Sequence, residues 1–254
     1  MAGILLSGCN GKMGKAVTAN AAADDGCEIV GGIDLFDKSL SGYPVFSSPA
    51  LVSKEIIEKT DVIIDFSNPS AVAGLLEFAV KNSIPAVIST TGLNDAQINL
   101  IKAASSKIPV FFSANMSLGV NLLCELAKKA ASVLGDSFDI EIVEMHHNQK
   151  IDAPSGTALM IADSIKEELD EGVKYEYDRH SKREKRTKNE IGIHSVRGGT
   201  ITGEHQVIFV GHDEIITISH SARSKELFAT GAVNAAKFLC GKPAGLYSMS
   251  DMLK

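Results

Sequence analysis

The sequence predicts an α/β protein in two parts: a parallel sheet covered by helices, then an α+β region whose mixed sheet is mostly antiparallel. Three observations predict it. In the first half, short and continuously apolar segments alternate with segments of helical composition, as in parallel sheets buried on both faces. A glycine-rich stretch separates the first apolar segment from the first helical one. In the second half, three strand-like segments follow one another with only short turns between them.

Hydrophobic spacing places the elements of the first half. The predicted strands span residues 3–7, 28–33, 62–64, 86–88 and 110–112, and the predicted helices span 12–23, 70–81 and 95–106. In the helix at 70–81, the apolar residues Val72, Leu75, Leu76 and Ala79 recur at the spacing of one helix face. This alternation of strands and helices indicates a parallel sheet.

The second half has a different order of elements. Its predicted helices span 118–134, 154–169 and 225–239, and its predicted strands span 138–145, 191–196, 205–210 and 215–220. Short turns favour antiparallel pairing of the last three strands. The final helix stops at Gly241 and Pro243. We predict domains at 1–117 and 118–226, with 227–254 forming a C-terminal helix that returns to the first domain.

Composition narrows the class of protein. Of the 254 residues, 44% are hydrophobic and 22% are charged, which is ordinary for a globular chain with a sizeable core. No apolar run approaches the ~20 residues that span a bilayer, and the start is not typical of a signal peptide. Four dispersed cysteines favour free thiols in a reducing cytoplasm. The net charge of −6 argues against a general polyanion binder.

Glycines recur at every third position directly after the first predicted strand. The stretch from Gly8 to Gly14 reads GCNGKMG and opens the first predicted helix. Glycines permit close approach of the backbone to a pyrophosphate, and the helix start adds free amides and the positive end of a dipole. Asp34 follows the second predicted strand, twenty residues past Gly14, where a ribose-binding carboxylate is expected. This context favours a Rossmann-type dinucleotide site over a glycine turn that merely packs a helix on a strand. Its predicted residues are Gly8, Cys9, Asn10, Gly11, Lys12, Met13 and Asp34.

The choice between the two nicotinamide cofactors stays open. Asp34 favours a free 2′-hydroxyl and repels a 2′-phosphate, and the next residue is Leu35 rather than an arginine. Lys12 and Lys38 are cations that could reach a phosphate. The sequence therefore predicts NADH or NADPH, with NADH favoured.

Two further loops follow predicted strands of the first sheet. They contain Ser89, Thr90 and Thr91, and Ser113, Ala114, Asn115 and Met116. The ligand crevice of an open parallel sheet lies at these strand ends, and small hydroxyl residues suit close approach to a nicotinamide ring. For the loop at 89–92 and the similar loop at 65–69, helix capping is at least as likely a role, by Asn94 for one helix and by Ser67 or Ser70 for the other.

The stretch from 144 to 158, EMHHNQKIDAPSGTA, places imidazoles and an ammonium before a helix start. His146 and His147 close a predicted strand, Lys150 lies in the following loop, and the helix opens near Gly156 and Thr157. We expect the amides of 155–157 to be unpaired at the first helical turn. Such a cluster attracts carboxylates. Histidine can also deliver a proton near neutral pH, and lysine can bind a carboxylate or donate a proton.

Two other classes of site are disfavoured. Adjacent histidines on a strand point to opposite faces, and a third metal ligand at convincing spacing is missing from the sequence, so we predict no metal. Residues 174–188 are rich in lysine and arginine, but Glu176, Asp178 and Glu184 interleave. We expect a solvated, mobile loop there rather than a nucleic-acid surface.

These motifs carry a resemblance to a known family. The stretch HHxxKxDAPSGTA closely resembles the signature of the 4-hydroxy-tetrahydrodipicolinate reductases, also called dihydrodipicolinate reductases. The similarity extends along nearly the whole chain through GCNGKMG, DFSNP, STTG, SANMSLGVN, VRGGTITGEH and HSARSKELFATGA. Three positions depart from the family pattern: Ser89 replaces a usual glycine, and Lys12 and Lys225 replace usual arginines.

The resemblance implies an NAD(P)H-dependent reduction of a cyclic dicarboxylate in diaminopimelate and lysine biosynthesis. It gives His146 the position of general acid/base and Lys150 that of a second proton donor. It gives His147, Gly156 and Thr157 the substrate-carboxylate positions, and assigns the cofactor to the glycine turn, Asp34 and the two strand-end loops. Family members are usually homotetramers built through the sheet of the second domain. The alternative is a regulatory protein that senses nicotinamide nucleotides without chemistry, and a proton-donor cluster argues against it.

Overall fold

A computed structural model describes residues 1–36 and 42–253 of the chain. The strands, in chain order, are β1 (Ala2–Ser7), β2 (Cys27–Ile33), β3 (Val45–Phe46), β4 (Val62–Asp65), β5 (Ala86–Ile88), β6 (Pro109–Phe112), β7 (Asp139–His146), β8 (Lys174–Glu176), β9 (Glu190–Arg197), β10 (Gly203–Val210), β11 (Ile215–Ala222) and β12 (Gly245–Tyr247). The helices are α1 (Lys12–Ala22), α2 (Lys54–Lys59), α3 (Pro69–Asn82), α4 (Asp95–Ser105), α5 (Leu118–Leu134), α6 (Gly156–Lys166), α7 (Glu226–Leu239) and α8 (Met249–Met252). Two short 3₁₀ turns lie at Pro49–Leu51 and Gly135–Ser137.

The chain divides into two compact units. Unit 1 comprises Met1–Ser117 and Lys225–Lys254, and unit 2 comprises Leu118–Ser224. The helix α7 lies in unit 1, where it packs against α1 and the sheet. Among the described residues, no helix is both long and apolar enough to cross a membrane.

Unit 1 is built on a parallel sheet with helices on both faces. Its strand order is β12-β6-β5-β4-β1-β2-β3, and every neighbouring pair is parallel. All residues of β4 and β5 are buried, as expected for strands covered on two sides. One apolar cluster joins the sheet to α1 and α7, and a second joins its other face to α3 and α4. The predicted Rossmann-type sheet is confirmed.

Helix caps fix where the crossover helices begin. The side chain of Asn68 accepts a hydrogen bond from the Ser70 amide at the start of α3, and Pro69 occupies the first helical position. At α4, Asn94 and Gln97 form a reciprocal capping box. The predicted capping role of Asn94 is confirmed, whereas the prediction of Ser67 or Ser70 as the cap of α3 is wrong, because Asn68 occupies that position.

Unit 2 has a five-stranded mixed sheet in the order β11-β10-β7-β9-β8. The pair β10–β11 is antiparallel, as predicted, and β10–β7 is antiparallel as well. The pairs β7–β9 and β9–β8 are parallel. Half of the strand pairs in this sheet are therefore antiparallel, fewer than the predicted majority. Helices α5 and α6 cover one face of this sheet through a shared apolar cluster.

The predicted antiparallel pairing of β9 with β10 is wrong, because β7 lies between them. Alternate residues of β7 are buried, as suits a central strand. Strands lie about 4.8 Å apart, so passing one strand requires about 10 Å. The connection at 198–202 has enough residues for that distance, since an extended chain covers up to ~3.3–3.6 Å per residue.

Candidate active site

In unit 1, five strand ends meet along one edge of the sheet. Ser7 at the end of β1 pairs with Ile33 of β2 and with Asp65 of β4. Ile88 at the end of β5 pairs with Asp65 and with Phe112 of β6. The loops that follow these strands therefore share the edge at which open parallel sheets bind ligands.

The glycine turn is as tight as its spacing predicts. Gly8 has φ +77°, and a side chain there would place Cβ 2.6 Å from the Phe66 oxygen. A Cβ on Gly14 would lie 2.3 Å from the Gly8 oxygen, so α1 can approach the turn only because Gly14 lacks a side chain. The turn therefore leads directly into the N-terminus of α1, with its unpaired amides and positive dipole end.

Asp34 is tied to this turn by its own carboxylate. Its Oδ2 accepts from the Asn10 amide at 3.0 Å, and its Oδ1 accepts from the Phe36 amide at 3.3 Å. The Asn10 side chain in turn donates to the Phe36 oxygen at 2.8 Å. The predicted ribose acid and the predicted pyrophosphate turn are thus in direct contact.

The remaining predicted residues of the turn differ in exposure. Cys9 is buried in the core of unit 1, and burial together with the Asp34 charge raises the pKa of its thiol to about 11. Met13 is half-buried against the same core, whereas Lys12 is exposed. Lys38 lies outside the described residues.

A cleft of about 500 Å³ opens beside the turn. It is lined by Ser7, Gly8, Gly11, Asp34, Leu35, Pro49, Phe66 and Asn68, among others. This volume is within the ~300–1,000 Å³ of ordinary small-molecule sites.

The loop after β5 is anchored by a buried carboxylate. Asp65 is fully buried, and its Oδ2 accepts from Thr90 Oγ1 at 2.6 Å, while its Oδ1 accepts from Ser67 Oγ at 2.6 Å. Ser89 is buried, and its Oγ has no hydrogen-bond partner among the described residues. Thr91 is exposed. Asp65 thus links two strand-end loops.

The loop after β6 makes its own internal bonds. Ser113 Oγ donates to the Asn115 oxygen at 2.7 Å, and the Asn115 side chain accepts from the Ser117 amide at 2.9 Å. Ala114 is exposed, whereas Met116 is buried in the core. The side chain of Met116 therefore serves packing.

In unit 2, a buried carboxylate sits at the centre of the histidine–lysine cluster. Glu144 is fully buried, and its Oε2 lies 2.5 Å from His146 Nδ1. Arg197 donates to both carboxylate oxygens, at 2.7 and 2.8 Å, and the Ser155 amide donates to Oε1 at 3.1 Å. Burial alone raises the pKa of Glu144, but hydrogen bonds from Arg197, His146, Ser195 and Ser155 lower it to about 2.

His146 occupies the last position of β7 and is largely buried. Burial lowers the pKa of His146, and Lys150 and Arg197 lower it further, while the Glu144 carboxylate opposes them. The pKa therefore lies below its ordinary value of 6.5, and the neutral ring predominates at neutral pH.

Lys150 and His147 lie in the loop that follows β7. The Lys150 amide donates to the His147 oxygen at 3.1 Å, and Lys150 Nζ pairs with Asp152 Oδ1 at 2.9 Å. Arg197 also donates to the Asp152 backbone oxygen at 2.7 Å. One arginine therefore holds both Glu144 and the loop that carries Lys150.

Helix α6 starts at Gly156, with Ser155 as its cap. Ser155 Oγ accepts from the Ala158 amide at 3.1 Å. The prediction that the Ser155 amide is unpaired is wrong, because the amide donates to Glu144. Gly156 and Thr157 occupy the first helical positions, next to this carboxylate.

A third histidine joins the cluster from β10. The His205 ring meets the His146 ring edge to face, with centroids 5.3 Å apart, and its Nε2 lies 3.1 Å from Ser155 Oγ. Burial, reinforced by His146, lowers the pKa of His205 to about 4. His205 is therefore neutral at physiological pH.

Sequence reasoning missed three members of this cluster: Glu144, Arg197 and His205. Glu144 and His146 are two apart on a strand and so share a face, which is a usable signal. Arg197 and His205 lie within the motif VRGGTITGEH, yet strand pairing alone brings them to Glu144. Across residues 1–36 and 42–253, no group of three His, Cys, Asp or Glu side chains is arranged to hold a metal.

The basic segment of unit 2 is largely charge-balanced. Arg179 pairs with Glu190, and Lys182 with Glu176. Arg186 binds Asp139 and Glu141 at 3.0 and 3.1 Å. These carboxylates neutralise part of the positive charge that a polyanion-binding surface would need.

Known protein families and relatives match this chain along nearly its whole length. Residues 2–116 match the family described as dihydrodipicolinate reductase, N-terminus, and residues 119–253 match dihydrodipicolinate reductase, C-terminus. A 4-hydroxy-tetrahydrodipicolinate reductase from Caldanaerobacter subterraneus subsp. tengcongensis is 54% identical over 99% of this chain and 98% of its own. One from Staphylococcus epidermidis is 48% identical over 98% and 99%.

A solved structure also resembles the whole chain. The dipicolinate-bound dihydrodipicolinate reductase from Paenisporosarcina sp. TG-14 has a TM-score of 0.76 at 27% identity, covering 98% of this chain and 97% of its own. A probable dehydrogenase from Thermotoga maritima, at 13% identity and a TM-score of 0.64, shares the fold.

A glycine turn on a parallel sheet, together with a buried acid–base cluster in a second unit, defines a nicotinamide-dinucleotide-dependent oxidoreductase. The matches along the full length then settle the family. This chain belongs to the dihydrodipicolinate reductase family.

Proposed function

We propose that this chain reduces 4-hydroxy-tetrahydrodipicolinate to tetrahydrodipicolinate with NADH or NADPH, in diaminopimelate and lysine biosynthesis. One observation carries the proposal: a largely buried histidine lies beside a lysine-bearing loop and a helix N-terminus, on a chain that also has a nucleotide-type glycine turn. The names of its relatives, which cover almost the whole chain, give the substrate.

The residues of unit 1 suit a nicotinamide dinucleotide. The amides of Gly8, Asn10 and Gly11 already donate within the protein, so the turn from Gly8 to Met13 offers a pyrophosphate chiefly its close backbone approach and the N-terminus of α1 at Lys12 and Met13. Asp34 offers a carboxylate to a ribose. The unpartnered buried hydroxyl of Ser89 supports a ligand at the neighbouring strand end. The loops at 89–91 and 113–116 are the proposed nicotinamide side. When bound, NAD(P)H supplies a hydride.

The residues of unit 2 suit a small dicarboxylate. His146 is the proposed general acid, and Lys150 is the proposed second proton donor. His147 and the start of α6 at Gly156 and Thr157 are the proposed carboxylate site, because a helix N-terminus favours anions. The dipicolinate bound in the Paenisporosarcina enzyme supports a ligand of this class. This chemistry needs no metal.

Incubation of the protein with NADH and freshly prepared 4-hydroxy-tetrahydrodipicolinate tests the activity. Loss of NADH absorbance that requires both substrate and protein supports the reductase, and a matched NADPH reaction gives the cofactor ratio. Nucleotide binding without turnover would instead indicate a sensor protein.

Asp34→Ala tests the cofactor site. We expect it to weaken NADH more than NADPH, because it removes bonds to the 2′-hydroxyl and also a repulsion against the 2′-phosphate. Titrating both cofactors into wild type and variant measures the two dissociation constants. Equal weakening of both would place Asp34 away from the ribose. Asp136→Ala in unit 2 is the control.

We also propose a homotetramer assembled through the sheet of unit 2. The face away from α5 and α6 is apolar at exposed or half-buried positions: Val143, Met145, Val196, Ile208, Val210 and Ile215. Glu141, Gln206 and His194 lie among these positions, and apolar side chains on an uncovered sheet face are typical of subunit contacts. The four cysteines, all within the described residues, are free thiols, which supports a reducing compartment such as the cytoplasm.

A further inference from the structure

The geometry around Glu144 points to a role beyond charge balance. Its carboxylate is fully buried, and both oxygens are bound by the Arg197 guanidinium. Such a bidentate pair has a fixed geometry. The Ser155 amide adds a third bond, so the carboxylate has little freedom to turn.

Glu144 Oε2 also faces the imidazole of His146. The distance to Nδ1 is 2.5 Å, which is a hydrogen bond in which Nδ1 donates, because the carboxylate is ionised. A proton on Nδ1 leaves Nε2 as the only ring nitrogen that can exchange a proton with a substrate.

The surroundings of Nε2 are consistent with that assignment. A Cβ added to Gly203 would lie 3.1 Å from His146 Nε2, so the absence of a side chain there leaves this edge of the ring uncrowded. The His146 ring also meets the His205 ring edge to face, with centroids 5.3 Å apart.

We propose that Glu144, clamped by Arg197, is a positioning residue that keeps the proton of His146 on Nδ1 and makes Nε2 the proton-transfer atom. This rests on the proposed role of His146 as the general acid. In the protonated state Nε2–H gives its proton to the substrate and retains the electron pair. The ring then becomes the neutral Nδ1–H form that Glu144 already binds. The chain therefore needs no ring rotation between the two states.

Several charged or titratable groups face His146. They are Glu144 on β7, Lys150 in the following loop, Arg197 on β9 and His205 on β10. Among them Glu144 alone raises the pKa of His146, whereas burial, Lys150 and Arg197 lower it. Removal of the Glu144 carboxylate therefore shifts the titration of His146 to lower pH. As the pH rises, the activity that needs protonated His146 then begins to fall at a lower pH than in the wild type.

NMR of the wild-type chain with isotope-labelled histidine tests the proton position without any substitution. His146→Gln identifies the His146 signals by their disappearance. We expect neutral His146 to carry its proton on Nδ1, with Nε2 bare. A neutral ring protonated on Nε2 would overturn the proposal, whatever the activity measurements show.

Kinetics of Glu144→Gln test the consequence. An amide accepts only through its oxygen, so its NH2 group must face donors whichever way it turns: Arg197 and the Ser155 amide at one end, or Arg197 and His146 Nδ1 at the other. We expect kcat to fall by about 10- to 100-fold, less than the ~10²–10⁴-fold attributed to a general acid itself. KM and the NADH dissociation constant should change by less than about threefold, since the variant alters proton transfer rather than uniform binding.

A double-mutant cycle separates positioning from general structural damage. In a His146→Gln background, Glu144→Gln should have almost no further effect on kcat, because the group that it positions is gone. An undiminished further loss would overturn the proposal. The matched control is Glu167→Gln at the C-cap of α6, where the carboxylate pairs with Lys128 away from the proposed subunit contact. If His146→Gln itself retains kcat, the general-acid role fails, and the NMR result still decides where the proton lies.

Discussion

At the scale of single residues, His146 is set apart by its surroundings. It is largely buried, it is bonded to an ionised carboxylate, and it lies at a strand end beside a lysine-bearing loop. Buried titratable groups with several charged neighbours are typical of catalytic sites. His194 on the outer face of the same sheet also bonds a carboxylate, that of Glu141, but its side chain is exposed.

His146→Ala should lower kcat by ~10²–10⁴-fold, because it removes the proposed proton donor. NADH affinity should remain nearly intact, since the predicted cofactor residues all lie in unit 1. Steady-state kinetics with a separate NADH titration measure both quantities. His212→Ala, in the exposed turn between β10 and β11, is the control. A His146 variant with near-normal kcat would remove this residue from the chemistry.

Substitutions of Lys150 distinguish two roles for this residue, proton donation and binding of a substrate carboxylate. If Lys150 donates a proton, Lys150→Ala lowers kcat, and Lys150→Arg fails to restore it because a guanidinium keeps its proton near neutrality. If Lys150 binds a substrate carboxylate, KM rises instead and arginine restores activity. We expect the loss to fall mainly on kcat. Lys129→Ala on the exposed surface of α5 is the control, and full rescue by arginine contradicts the donor role.

Residue-level prediction succeeded where the chemistry is local in sequence. The proximity of Asp34 to the glycine turn followed from a known spacing between strand and helix. Arg197 and Glu144 are 53 residues apart, and their contact depends on parallel pairing of β7 with β9. Periodicity does not specify such pairing, so this part of the candidate site could not be predicted.

At the scale of elements, long periodic segments were predictable, and short ones were predictable where a continuous apolar run marks a buried strand, as at β4 and β5. The α5 helix spans Leu118–Leu134, as its spacing predicts. The strands β3, β8 and β12 have only two or three residues, too few to show a period, and they were missed. The prediction of a loop from residue 174 is therefore wrong at Lys174–Glu176, which pairs with β9. The C-terminal β12 joins the edge of the sheet by pairing with β6, which is a long-range contact.

In unit 2, strands that are consecutive in the sequence are not always neighbours in the sheet. The connection between β10 and β11 is short and forms a hairpin, whereas the connection from β9 to β10 bypasses β7. That bypass has a functional consequence. It places Arg197 of β9 and His205 of β10 on opposite sides of β7, so both reach the end of the strand that carries Glu144 and His146.

At the scale of the whole molecule, the buried histidines link the stability of the protein to pH. Burial lowers the pKa values of His146, His205 and His220, so all three bind protons more readily in the unfolded chain. Stability from these groups is complete above the unfolded pKa of about 6.5 and is lost as the pH falls. Glu144, with a pKa of about 2, loses its contribution only below its ordinary value of 4.5. Among these four groups, the three histidines therefore account for most of the loss of stability as the pH falls from about 6.5 to about 4.5.

His205 should account for a measurable share of that acid sensitivity. With the pKa lowered from 6.5 to about 4, its contribution to the free energy of unfolding falls by about 2 kcal/mol between pH 7 and pH 5. His205→Gln can keep the bond to Ser155 Oγ but cannot take up a proton. Its free energy of unfolding should therefore decrease by about 2 kcal/mol less than that of wild type over this interval.

Urea unfolding followed by circular dichroism at both pH values measures this difference, at fixed protein concentration because assembly also affects apparent stability. His212→Gln is the matched control, because the His212 side chain is 97% exposed. The control should follow the pH dependence of wild type. If His205→Gln does the same, His205 is not the neutral buried group that its packing against His146 and Ser155 requires, and the acid sensitivity must come from other groups.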